Sequence, residues 1–88
     1  MPGSPDSRLN LGITFERAGL YERAFTAYEA ALEVSPTHIR SLEATARLTL
    51  RTGRTSDRLA GMLEEIALRG ESEGWRNWAK EQLSRLKR

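Results

Sequence analysis

His38 is the only histidine in the 88 residues, and it stands two positions after a proline in "SPTHIR". General acid–base work needs a second positioned group within hydrogen-bond reach, and no cysteine or neighbouring carboxylate offers one. The sequence alone therefore reads His38 as a turn residue in contact with water. Glu64 and Glu65 are adjacent, so on a helix they diverge by about 100° and do not form a working pair. A serine nucleophile would have His38 as its sole candidate base. The glycines fall where helices end or turn rather than in a phosphate-cradling loop, and no cluster has metal-ligand spacing. The expectation is a non-enzyme with no catalytic residue, metal or cofactor.

Arginine is the remaining chemistry. Twelve of the 14 basic residues are arginines, against 12 acidic residues, for a net charge of +2. A guanidinium fork takes carboxylates or phosphates through paired hydrogen bonds. Two ladders of four-residue spacing, Leu9-Ile13-Arg17 and Glu43-Arg47-Arg51, would each lie along one helical face. The cations are scattered and the net charge is small, which argues against nucleic acid as the partner. Steep salt dependence, with the terminal "RLKR" taking part, would be the mark of that alternative.

The elements that would carry these residues are helices. Phe25, Tyr28, Ala31, Leu32 and Val34 recur at spacings of three and four, and an earlier apolar set runs through Leu9, Leu11, Ile13, Phe15 and Ala18. Gly19 stands where the first helix should stop and Pro36 where the second should. A shift of 34 residues lays "FERAGLYERAFTAYEAALEVSP" over "TLRTGRTSDRLAGMLEEIALRG" without a gap. Gly19 then meets Gly53, Phe25 meets Leu59, Tyr28 meets Met62, Leu32 meets Ile66 and Val34 meets Leu68. Leu11-Gly12 lies over Thr45-Ala46, small residues where helices would approach closely. A helical hairpin repeated every 34 residues is an α-solenoid pattern. The predicted helices run over 5–18, 21–34, 38–52, 56–69 and 73–87, with Thr37, Ser56 or Asp57, and Ser72 as N-caps. Phe15, Phe25 and Tyr28 are expected in the core, with Tyr21 packed between the first two helices.

The first unit resembles the tetratricopeptide repeat (TPR) family at Leu11-Gly12, Phe15, Gly19, Tyr21, Ala24, Tyr28, Ala31 and Pro36, with Arg8 in place of the leading tryptophan. The second unit fits at Leu42, Ala46, Gly53, Leu59 and Met62, while Arg58 and Glu65 replace two alanines and Gly70 the proline. Those charges predict a rotated fourth helix presenting Ala60, Leu63 and Ala67, or a loosely packed one. "WRNWAKEQL", with Trp75, Trp78 and Ala79, resembles another repeat opening and reads as a capping helix whose tryptophans seal the second hairpin. The resemblance implies an all-α fold, a right-handed α-solenoid of two hairpins plus a cap, five helices in all. Its divisions are a disordered start at 1–4, repeat 1 at 5–36, repeat 2 at 37–70 and the cap at 71–88.

It also implies a role. First helices of the family line a concave groove that binds peptides or helices of partner proteins. The matching positions are Asp6, Leu9, Ile13, Glu16 and Arg17, then Arg40, Glu43, Arg47, Leu50 and Arg51, with Arg76 and Lys80 if the cap stacks as a third first helix. Arg40, Arg47, Arg51 and Arg76 would engage carboxylates of a partner, and Leu9 with Ile13 an apolar side chain. Leu9, Ile13 and Ala44 stand where the chaperone-binding members carry their clamp lysine and asparagines, which argues against an EEVD-type tail. The alternative class is structural: the C-terminal end of a longer solenoid, self-associating through Leu9, Leu11 and Phe15. The absence of cysteine and of a long apolar run, with an N-terminus unlike a leader, fits a cytoplasmic setting with no membrane partner.

Overall fold

The structure, a computed structural model, describes residues 4–54 and 56–86. The expectation for the start of the chain and the "RLKR" proposal rest in part on residues 1–3, Lys87 and Arg88, which lie outside the described residues. Five helices follow in order: α1 (Pro5–Arg17), α2 (Tyr21–Val34), α3 (Ile39–Thr52), α4 (Leu59–Arg69) and α5 (Glu73–Leu86). No strand occurs among the described residues, and the fold is all-α. Each helix packs on its neighbours in the chain, and α1 also touches α3.

Two helix ends are built alike. After α1 the Gly19 amide donates to the Glu16 carbonyl and the Leu20 amide to that of Phe15. After α3 the Gly53 amide donates to Leu50 and the Arg54 amide to Thr49. Gly19 and Gly53 have φ of 78° and 71°, the left-handed conformation that this hydrogen-bond pattern requires. The match between them, 34 residues apart, is therefore a match of backbone geometry. Helix starts differ more from expectation. A turn closed by the His38 amide on the Ser35 carbonyl delays α3 to Ile39, making His38 rather than Thr37 its N-cap residue. The α4 helix begins only at Leu59, after Ser56 Oγ has accepted the Arg58 amide. Ser72 accepts the Trp75 amide at the start of α5, as a cap should.

The core has two parts. Leu9, Phe25, Tyr28, Ala44 and Leu48 form one, between α1, α2 and α3. A methyl group at Gly12 would collide with the Tyr28 ring, so the absent side chain is what admits the tyrosine. Leu32, Leu42, Leu63, Ile66 and Ala79 belong to the other, which joins α2 to α5. Trp75 and Trp78 pack edge to face against it, with centroids 5.2 Å apart, and close the second hairpin. The α4 helix buries Leu59, Met62 and Ile66 together with Leu63, while Ala60 is exposed. Its expected rotation is thus only partial, because Arg58 precedes the helix and Glu65 pairs at its surface with Arg69 at 2.8 Å. Leu11, Val34 and Leu68 are exposed rather than core. Phe15 is partly buried, and Tyr21 lies at the surface near the Arg51 guanidinium instead of between helices.

Candidate functional site

A groove of about 680 Å³ runs between α1 and α3. Its α1 side is formed by Leu9, Ile13, Glu16 and Arg17, and its α3 side by Arg40, Glu43, Ala44, Arg47 and Arg51. Gly19, Tyr21, Glu71 and Trp75 complete the lining. Besides Glu16, itself an expected position, seven sequence-predicted residues thus come together: Leu9, Ile13, Arg17, Arg40, Glu43, Arg47 and Arg51; Asp6 and Leu50 do not line the groove. Arg76 and Lys80 do not join them. The Arg76 Nη1 donates to the Gly70 carbonyl at 2.7 Å, which turns its charge toward the start of α5. Lys80 is exposed and lines no part of the groove. The α5 helix contributes Trp75 instead.

Two of the seven hold unexpected positions. Leu9 is 1% exposed and belongs to the core under α1, so it cannot serve as the apolar contact for a partner. The four-residue ladder placed it on the correct helix edge, but Tyr28, Ala44 and Leu48 close over it. Ile13 remains partly accessible. Glu43 is 3% exposed, and one of its oxygens accepts the Glu71 amide at 2.9 Å. Burial pushes its carboxyl above the usual carboxylate range, opposed by that hydrogen bond; nearby Glu71 adds to the rise and Arg40 reduces it.

The centre of the groove is a charge network focused on Glu16, whose carboxylate is almost fully buried. Arg47 Nη2 donates to both of its oxygens at 2.8 and 3.0 Å, and Arg51 Nη1 stands 3.5 Å away. The Tyr28 hydroxyl donates to Oε1 at 2.6 Å. Desolvation, then Glu16 itself, raises the Tyr28 phenol above its ordinary value. A buried carboxylate so satisfied is anchored, whereas breaking the set would leave an uncompensated charge. The arginines predicted to await a partner's carboxylate are therefore already in contact with one from α1. Arg40 is likewise shared loosely, 4.0 Å from Asp6 and 3.8 Å from Glu71. All three guanidinium groups keep a large exposed fraction, 44% for the Arg47 side chain. What they offer a ligand is the free edge of a paired group.

His38 does have partners. Its Nε2 lies 3.1 Å from Asp6 Oδ1, and Nδ1 lies 2.6 Å from Ser41 Oγ. A carboxylate only accepts, so neutral His38 carries its proton on Nε2 and Ser41 donates to Nδ1. The connectivity is that of a carboxylate, base and hydroxyl relay. Ser41 is fully buried, however, so a substrate carbonyl has no approach to its oxygen. This chain of bonds clasps the start of α1 to the start of α3. Sequence reasoning missed it because Asp6 and His38 stand 32 positions apart, like Glu16 and Arg47 at 31 and Glu22 and Arg54 at 32. The 34-residue period was the available signal. It places first helices side by side, so opposite charges spaced near one period were the pairs to look for. Among the described residues no cluster of potential metal ligands occurs, and no helix is long and apolar enough to cross a membrane.

Set against family models, curated proteins and solved structures, the chain has no significant match.

Proposed function

We propose that the chain is a non-catalytic protein–protein interaction module of the tetratricopeptide type, acting in the cytoplasm, with its two hairpins and cap arranged as a right-handed solenoid. It holds a segment of a partner protein in the groove between α1 and α3. The observation that carries this reading is the convergence of seven predicted groove positions on one open cleft between the two first helices. The two alike glycine helix ends, one repeat period apart, support the repeat reading. The partner segment carries carboxylates for the exposed edges of Arg17, Arg40 and Arg51. A groove this short binds weakly, because stable interfaces bury about 800 Å² per partner.

The test is capture of partners by the parent chain and by an Arg17→Gln/Arg51→Gln variant, which removes two charges without placing an anion beside Glu16. A partner held at least several-fold less tightly by the variant supports the groove. Equal capture removes the groove from the account. Nucleic acid is the weaker alternative, since Arg40, Arg47, Arg51 and Arg54 already face carboxylates.

A structural role has one observation in its favour. Leu11 is half exposed, and a shallow depression across α1 and α2 is lined by Phe15, Ala27 and Ala30 together with Glu22, Arg23 and Thr26. In this reading the chain closes a longer solenoid, or self-associates through that face. Concentration-dependent sedimentation abolished by Leu11→Glu would favour it over the groove.

A further inference from the structure

We infer that the groove continues into a second, apolar subsite between Trp75 and Trp78, and that the partner segment is one in which a leucine or phenylalanine side chain lies close to a carboxylate. This rests on the groove reading above and supplies the apolar anchor that Leu9, being buried, does not. The subsite is a notch of about 410 Å³ lined by Trp75, Trp78, Ser72, Gly74 and Arg47, with almost wholly apolar walls. Arg47 and Trp75 line both the groove and the notch, so the two are one continuous surface.

Charge and shape select the occupant together. Among the described residues Arg47 is the only charged one lining the notch, and its Glu16 contacts are made through Nη2 alone. The remaining guanidinium edge is a donor for one carboxylate of the ligand. The tryptophans meet edge to face with an interplanar angle of 88°, which leaves an angular recess suited to a branched or aromatic side chain rather than a flat surface. Gly74 keeps the recess open. A methyl group there would meet only Ser72 Oγ, at an ordinary 3.6 Å, so a side chain at this position fills the notch without forcing the backbone. A carboxylate by itself would leave the indoles idle, and an apolar residue by itself would leave the arginine edge without a partner.

The chain holds two tryptophans and both line the notch. Trp75 also borders the groove, so indole emission reports on this end of the cleft and Gly74→Leu separates the notch from the groove. The probes are synthetic nine-residue peptides carrying one glutamate and one leucine or phenylalanine, zero to four positions apart, in a Gly/Ser background. Matched peptides have the apolar residue replaced by serine or the glutamate by glutamine. Binding is measured twice, by anisotropy of a labelled peptide and by tryptophan emission with the unlabelled one. The proteins are the parent, Gly74→Leu to block the notch from within, and Arg17→Gln/Arg51→Gln. At least one spacing should bind with a shift in indole emission. That peptide should lose roughly 10-fold in affinity with serine, with glutamine, or on the Gly74→Leu protein. If peptides bind with sensitivity to Arg17→Gln/Arg51→Gln but no emission change and no effect of Gly74→Leu, the notch is overturned and the groove stands. If no peptide binds at millimolar concentration, the groove reading fails and the notch with it. Circular dichroism of Gly74→Leu accompanies the titration. Should that protein be misfolded, Gly74→Met takes its place.

Discussion

Glu43 is a carboxylate that the fold has taken almost wholly out of water while leaving it, among the described residues, one direct hydrogen bond, from the Glu71 amide. Because burial raises its folded pKa above the unfolded value, the folded state binds its proton more tightly. The group's contribution to stability is therefore greatest below the ordinary carboxylate range and is lost as pH rises through the folded pKa. Glu43→Gln keeps an oxygen for the Glu71 amide and discards the charge. The variant should exceed the parent in stability at pH 7 by on the order of 1 kcal/mol and approach it near pH 4. Urea unfolding of both proteins across that range checks it. A parent more stable than the variant at pH 7 would mean that Arg40 outweighs the burial. Glu16 is surrounded differently: two arginines and a tyrosine hydroxyl meet its carboxylate. Neighbouring groove acids of equal formal charge thus differ in what binding could do to them. Glu43 can gain a donor, whereas Glu16 has its donors already.

At the scale of the elements, the helix ends divide into two kinds. Gly53 has positive φ and open space around it, so alanine there is penalised by conformation alone, about 1 kcal/mol. Gly70 has φ of −50°, which any residue accepts, but an added Cβ would stand 2.6 Å from the Ile66 carbonyl oxygen. The carbonyl belongs to α4 and accepts the Gly70 amide at 2.7 Å, so it cannot simply move aside. Gly70→Ala should therefore cost about 2 kcal/mol or more, exceeding Gly53→Ala, in a comparison by chemical denaturation. The reverse order would place the strain in the turn rather than in the α4–α5 junction. The same contrast explains what the residue pattern made legible. Helix order, the turn glycines and the Pro36 stop follow from local backbone preference, which a sequence carries openly. So does the apolar spacing of α2. Whether a residue at the edge of an apolar stripe lies under the next helix or beside it depends on how closely two helices approach. Gly12 sets the α1–α2 distance by admitting Tyr28, which packs with Leu9, while Glu43 is held by the Glu71 amide; both residues are buried where the family resemblance put them at the groove surface. The Asp6–His38 and Glu16–Arg47 pairs depend on how α1 and α3 meet, and neither partner carries a local mark of the other.

Taken as a whole, the molecule rests its second hairpin on α5. Trp75, Trp78, Ala79 and Leu83 all cover the cluster formed by Leu63 and Ile66. Each buried apolar side chain contributes about 1.5–3 kcal/mol, while a domain's total is about 5–15 kcal/mol. A chain ending at residue 72 should consequently lose cooperative thermal unfolding by circular dichroism, not merely shift its midpoint. A truncated protein that melts as sharply as the parent would show that two hairpins suffice. Joined to that dependence is the reach of the cross-connections. The long-range hydrogen bonds that involve Glu43, Arg47, Arg54 and Arg69 close loops of 28 to 32 residues, and none among the described residues reaches further. Loops of nearly equal and moderate length present no late, distant closure for the chain to wait upon. Folding time is then governed by the pairing of neighbouring helices, within microseconds to milliseconds for helical chains of low contact order. A newly made α1–α2 hairpin finds the partner for Glu16 as soon as α3 has formed, before α5 is needed.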